Sequence, residues 1–160
     1  MKSQILALLR ENARLSDAEL ARRTGYTPEE VCACRQELEA SGKICGYTAI
    51  VNDADERADV VQALIEVKVS PSRDGGFDRV ARRIARYPEV SDLCLVSGSF
   101  DLLITIRGRS LQEVAGFVSS KLATIDGVVS TSTGFMLKKY KESGRMLEQE
   151  EEYERLKVSP

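Results

Sequence analysis

The sequence of 160 residues contains no histidine and no tryptophan. The missing imidazole removes at once the commonest general base, the usual partner of a nucleophilic Ser or Cys, and the commonest metal ligand. No P-loop, no G-x-G-x-x-G and no pair of carboxylates at an apolar site takes its place. The expectation is therefore a protein that is not an enzyme and needs neither metal nor cofactor. Cys32, Cys34, Cys45 and Cys94 show no C-x-x-C spacing, and Cys32 and Cys34 would lie on opposite sides of a helix. They read as reduced thiols, buried or incidental. No apolar run approaches the roughly 18 residues of a membrane helix. The opening MKSQILALLREN is broken by Arg10 and Glu11 and has no small-residue cleavage site, so a cytoplasmic location away from membranes is expected.

What is present is 42% apolar and 30% charged, the profile of a globular chain with room for one ordinary domain or two small ones. Residues 3–47 read as three helices. Ile5, Leu8 and Leu9 give the first its apolar face. Ser16-Asp17-Ala18-Glu19 is a capping box that opens the second, and Gly25 stops it. Thr27-Pro28-Glu29-Glu30 starts the third, with Thr27 as N-cap, Pro28 where its missing N–H does no harm, and acids at the positive end of the dipole. Val31, Arg35 or Cys34, and Leu38 carry its inner face to Ser41-Gly42. Two capped helices about a short glycine-containing turn make a helix-turn-helix, whose second helix can enter a DNA major groove. The same pattern also suits a small helical packing module that meets no nucleic acid.

Residues 43–51 are expected to form a strand leading away from the helices, and the small, acidic run 52–59 a hinge. Beyond it, a shift of 38 residues lays Leu64 on Leu102, Val80 on Val118, Ile84 on Leu122, Tyr87 on Ile125 and Val90 on Val128. Each half reads strand, helix, strand: 63–69, 77–87 and 90–96, then 102–106, 111–122 and 128–137. Ser110-Leu111-Gln112-Glu113 is a further capping box. The halves meet at LCLVSGSFDLLITI, residues 93–106, which reads as a tight hairpin with Gly98 supplying positive φ and Asp101 at the mouth of the second strand. That strand, Leu102-Leu103-Ile104-Thr105-Ile106, does not alternate, which implies that both of its faces are covered. Two such halves form a βαββαβ ferredoxin-like domain with both helices on one face, leaving the other for a second subunit. The expected class is α+β: a helix-turn-helix (winged-helix-like) domain over 1–48, a linker strand and hinge over 49–61, a ferredoxin-like domain over 62–137 and a tail over 138–160. The acidic stretch 148–152 and the following Tyr153-Glu154-Arg155-Leu156 read as a solvated helix or extended arm, or as an arm exchanged between subunits.

Several landmarks then occur in order: Leu15-Ser16-Asp17-Ala18-Glu19-Leu20-Ala21; Leu38-Glu39 with Gly42-Lys43-Ile44 and Gly46-Tyr47; Val96-Ser97-Gly98-Ser99-Phe100-Asp101; and Gly127-Val128 with Thr131 and Thr133. Together they resemble the Lrp/AsnC family of feast/famine transcriptional regulators over residues 3–140. The resemblance implies an amino-acid-responsive protein that binds double-stranded DNA. It implies homodimers formed through the sheets and octameric rings of such dimers, with a small effector beside the hairpin. The chemistry of that hairpin suits an amino acid: backbone N–H groups around Ser97, Gly98 and Ser99 for a carboxylate, with Phe100 between them and Asp101, whose side chain would take an ammonium. Thr131 and Thr133, on one side of the last strand, add hydroxyls. Plain turn chemistry accounts for Gly98 and Asp101 equally well. The candidate DNA contacts are Arg14, Arg22, Arg23, Thr27, Arg35 and Lys43. The third helix departs from the family, whose members usually carry several Arg or Lys there; here Arg35 is its one cation, and residues 1–48 hold seven Lys or Arg against seven acids. A neutral head predicts weak binding unless those cations cluster and several copies act together.

Overall fold

Reciprocal capping boxes decide where two of the first helices begin. In the computed structural model, which describes residues 1–52, 60–71 and 76–147, the chain divides into two units, Met1–Val51 and Asn52–Pro160. The first contains α1 (Lys2–Glu11), α2 (Asp17–Thr24) and α3 (Pro28–Ala40). At the start of α2 the Ser16 N–H donates to Glu19 Oε2 (2.8 Å) and the Glu19 N–H to Ser16 Oγ (3.2 Å). Thr27 and Glu30 repeat this at α3, at 2.9 and 3.3 Å, a reciprocal arm that the T-x-x-E spacing carries but the expectation above omits. Gly25 ends α2 at φ +78°, a left-handed conformation that a side chain would resist. The three helices close over Ile5, Leu9, Leu15, Leu20, Ala21, Val31, Cys34 and Leu38. Cys34, not Arg35, takes the inner position of α3.

No strand forms among the described residues of this unit, so the expected strand over 43–51 and the wing it would provide are corrected. A strand needs a neighbour's N–H and C=O groups, and this unit offers no second extended segment. The segment is tacked to α3 instead: the Ile44 N–H donates to the Leu38 carbonyl (3.0 Å) and the Tyr47 hydroxyl to Glu39 Oε1 (2.7 Å). Most of the expected hinge, 53–59, and the whole acidic stretch from 148 onward lie outside the described residues.

The second unit runs β1 (Val61–Val69), α4 (Asp78–Ile84), β2 (Val90–Leu95), β3 (Leu102–Gly108), α5 (Leu111–Phe117), a π-helical turn (Val118–Leu122) and β4 (Val128–Phe135), the expected βαββαβ order. Its antiparallel sheet has the strand order β2-β3-β1-β4. In register, Ile65 faces Ile104 and Val67 faces Leu102 across the central pair. These side chains, with Ala63 and Ile106, pack beneath Val80 and Ile84 of α4, Val114 and Phe117 of α5, and Leu122 and Ile125 beyond it. Tyr87 meets Phe117 edge to face, with ring centroids 5.5 Å apart. Leu64, Leu103 and Thr105, on the opposite face, are half-buried.

Two expectations need correction here. The single helix 111–122 changes to a π turn at Val118, where the Ser119 and Ser120 hydroxyls both bond the Gly116 carbonyl. The capping box at Ser110 is half formed: the Glu113 N–H donates to Ser110 Oγ (3.1 Å), but Glu113 Oε2 accepts from the Arg109 N–H (2.6 Å), one residue earlier than the box requires. Residues 138–147 hold a small hairpin of β5 (Lys141–Glu142) and β6 (Arg145–Met146) that turns at Ser143 and Gly144, an element the sequence did not lead us to expect.

Ile104 is fully buried at the centre of the sheet, so Ile104→Ala should lower the stability of this unit by about 2–5 kcal/mol, read from urea denaturation. In the first unit, the Ser16 N–H and hydroxyl hold Glu19 below the usual glutamate range. A carboxylate whose folded pKa is depressed stabilises fully above its unfolded value and loses that contribution as pH falls through the folded value. Thermal denaturation of Glu19→Gln below the usual glutamate range should therefore show a shallower loss of stability on acidification than wild type.

Candidate functional site

The loop between β2 and β3 is fastened at one end and open in the middle. Asp101 holds the fastened end: its N–H donates to the Val67 carbonyl (3.0 Å), its carbonyl accepts from the Val96 N–H (2.9 Å), and its Oδ2 accepts from the Val69 N–H (2.7 Å). The connection therefore spans residues 96–101 and is wider than the tight turn expected from Ser97-Gly98-Ser99. Gly98 does have positive φ, at +156°, but that is nearer extended than the roughly +60° of a two-residue hairpin turn. The amides of Ser97, Gly98, Ser99 and Phe100 donate to nothing among the described residues, and Ser97, Gly98 and Ser99 are exposed. Four consecutive free donors beside a fixed carboxylate can take an anion, and the second oxygen of Asp101 can accept from a cation.

Thr131 and Thr133 share a face, as expected, and it is the face that carries the core: Thr131 lies opposite Val67 and Thr133 opposite Ile65. They stay accessible because β4 is an edge strand. Thr131 sits at the same end of the sheet as Asp101, yet β1 lies between β3 and β4, which sets them about two strand spacings, or 10 Å, apart. The charged head of one amino acid spans far less than that. Within one chain, then, the loop residues 97–101 come together, while Thr131 and Thr133 stand apart from them. Gly127 steers the chain into β4 with φ of +98°, its carbonyl accepting from the Ser70 N–H (2.9 Å). A Cβ there would come within 3.1 Å of Val80 Cγ2.

In the first unit the candidate cations divide into free and engaged. Arg14, Arg22, Arg23 and Lys43 are exposed, and Arg22 lines an open depression with Ser16, Gly25, Tyr26 and Pro28 where α2 turns into α3. Arg35, the one cation of α3, is engaged: its Nη2 lies 2.9 Å from Asp17 Oδ2 on α2, with side chains only 34% and 21% exposed. Partial burial opposes its charge, but the Asp17 carboxylate, with Glu39 and Tyr47 nearby, raises the guanidinium pKa on balance. Lys2 is likewise tied to Glu37. Thr27 has its hydroxyl in the cap of α3, bonded to Glu30. Asp17 is the residue that the sequence reading leaves out, because its pairing with Arg35 depends on how α2 crosses α3. Nothing in the local pattern of either helix signals it.

These two units match known families. Residues 3–39 match the AsnC-type helix-turn-helix domain, and residues 62–146 match the Lrp/AsnC ligand binding domain. The uncharacterized HTH-type transcriptional regulator YugG of Bacillus subtilis is 43% identical over 163 aligned residues, covering 99% of this chain and 96% of its own length. The leucine-responsive regulatory protein of Escherichia coli is 27% identical over 89% of this chain and 87% of its own. The transcriptional regulator NMB0573 of Neisseria meningitidis, solved as a complex with L-Met, superposes with a TM-score of 0.66 at 26% identity, over 88% of this chain and 90% of that chain. A capped helix-turn-helix followed by a βαββαβ ligand-binding unit, each matched in its own right and nearly the whole chain matched by YugG, places this protein in the Lrp/AsnC family of transcriptional regulators.

Proposed function

We propose that this regulator binds operator DNA through its helix-turn-helix and responds to a free amino acid held at the loop 96–101, within a cytoplasmic homo-oligomer. The observation that carries the reading is the loop itself: amides at Ser97, Gly98, Ser99 and Phe100 that are unpaired among the described residues, next to an Asp101 anchored on β1. This supplies donors for a carboxylate and an acceptor for an ammonium, the two partners an amino-acid zwitterion requires. The L-Met complex of the Neisseria relative and the name of the leucine-responsive regulatory protein support the same ligand class. Thr131 and Thr133 join the site from a second copy, since β1 separates them from the loop of their own chain. Dimers form across the sheet face bearing the half-exposed Leu64 and Leu103, and octameric rings are built from such dimers. The effector acts only through its different affinity for two assembly states. DNA contacts come from Arg14, Arg22, Arg23, Thr27 and Lys43, and Arg35 serves mainly to hold α3 on α2.

The pairing of Arg35 with Asp17 favours one other reading, a ligand-responsive assembly module whose head no longer reads DNA. Fluorescence anisotropy with the duplex upstream of its own gene, over a salt series and with a panel of amino acids, separates the two. Salt-dependent binding that exceeds a scrambled duplex and shifts with an amino acid is expected. No preference over the scrambled duplex, from a folded oligomer, selects the assembly module. Asp101→Asn keeps an oxygen for the Val69 N–H and removes the charge, so it should retain the fold and lose the amino-acid response; an undiminished response removes Asp101 from the site. Asp101→Ala also leaves the Val69 N–H without its partner and should cost a further 1–3 kcal/mol or so in stability.

A further inference from the structure

Arginines gather on and just beyond α4, in the ligand-binding unit. Arg79, Arg82, Arg83 and Arg86 stand at i, i+3, i+4 and i+7, the spacing that puts side chains on one helix face. All four are exposed, while Val80 and Ile84 turn into the core. Arg86 lies just past the helix proper, where its N–H and that of Tyr87 donate to the Arg83 and Ile84 carbonyls (3.4 and 3.1 Å) and carry the face onward. Two acids lie alongside: Asp126 is 3.6 Å from Arg79 and Asp78 is 3.7 Å from Arg82, both exposed pairs of little strength. Arg83 and Arg86 make no ion pair among the described residues.

The head shows the opposite economy. Its seven Lys or Arg are matched by seven acids, and Arg35, the one cation of α3, is held by Asp17. Since neutralised phosphates supply much of the affinity for DNA, such a head is short of the interaction it most needs.

We propose that the arginine stripe of α4 is a second DNA-contacting surface that lies along the phosphate backbone of bound duplex. The proposal rests on the DNA-binding function above and adds to it a contact outside the helix-turn-helix. Arg79 and Arg86 are seven residues apart along α4 and the turn that follows it, about 10 Å, a length over which one strand of a duplex presents roughly three phosphate charges. Guanidinium forks bind phosphate oxygens in pairs and stay charged at every accessible pH. Contacts of this kind fix position and raise affinity without reading bases, so the stripe strengthens binding to specific and scrambled duplexes alike.

The test uses the full-length protein with R82A/R83A/R86A, a lysine triple at the same positions, and R22A/R23A in the head. Alanine and lysine both favour helix, and far-UV circular dichroism checks the fold. In anisotropy over 50 to 200 mM salt, the alanine triple should bind both duplexes more weakly. Its plot of log affinity against log salt should be shallower than wild type's by about two to three, so wild type loses roughly 20-fold or more further affinity over that range. The lysine triple should restore most of the slope. Wild-type binding with an unchanged slope in the alanine triple overturns the stripe while leaving the regulator reading intact, and hands the arginines to another anion such as the chain's own glutamate-rich run 148–154. Wild type that binds neither duplex overturns both.

Discussion

Antiparallel pairing of β1 with β3 is the constraint on which the ligand-binding unit depends. It joins the two βαβ halves, sets Ile65 on Ile104 and Val67 on Leu102, and makes the rows that α4 and α5 cover. It also builds the loop site. Because Leu102 lies opposite Val67, Asp101 arrives where the β1–β3 ladder ends, and its carboxylate satisfies the Val69 N–H that β3 no longer reaches. The loop is thus rigid at Asp101 and open at Ser97, Gly98 and Ser99. A binding loop gains from that arrangement, since fixing the charged group beforehand reduces what a ligand must order.

Charge is distributed against expectation for a DNA-binding protein. In the head, ion pairs run between helices, Arg35 to Asp17 and Lys2 to Glu37, and the partly buried Arg35 pair ties α3 to α2. Arg35 illustrates the choice. Partly buried, a guanidinium needs an acceptor, and Asp17 provides one at the cost of its freedom to meet phosphate. The ligand-binding unit puts arginines on an outward helix face, where, among the described residues, they pair weakly with the exposed Asp126 and Asp78.

Much of the architecture was legible because local rules and tertiary needs agree. Ser16 with Glu19, and Thr27 before Pro28, mark helix starts through hydrogen bonds that close within three residues. The 38-residue echo of apolar positions follows the elements: it lays β1 on β3, α4 on the end of α5 and the π turn Val118–Leu122, and β2 on β4. Failures came where partners are distant or compete. Residues 43–51 have strand composition and no partner within their unit. The Glu113 carboxylate chose the Arg109 N–H over that of Ser110. Two serine hydroxyls drew the Gly116 carbonyl out of regular helix.

The sequence by itself determined the class of fold, the order of elements, the helix caps and the residues of the loop. All of these follow from periodicity, turn chemistry and hydrogen bonds between near neighbours. Tertiary structure alone decided three things. It gave Asp101 a backbone N–H to hold, it committed Arg35 to Asp17, and it put β1 between the loop and Thr131. Each depends on strand order or helix crossing, which bring together residues far apart in the chain and which no local pattern encodes.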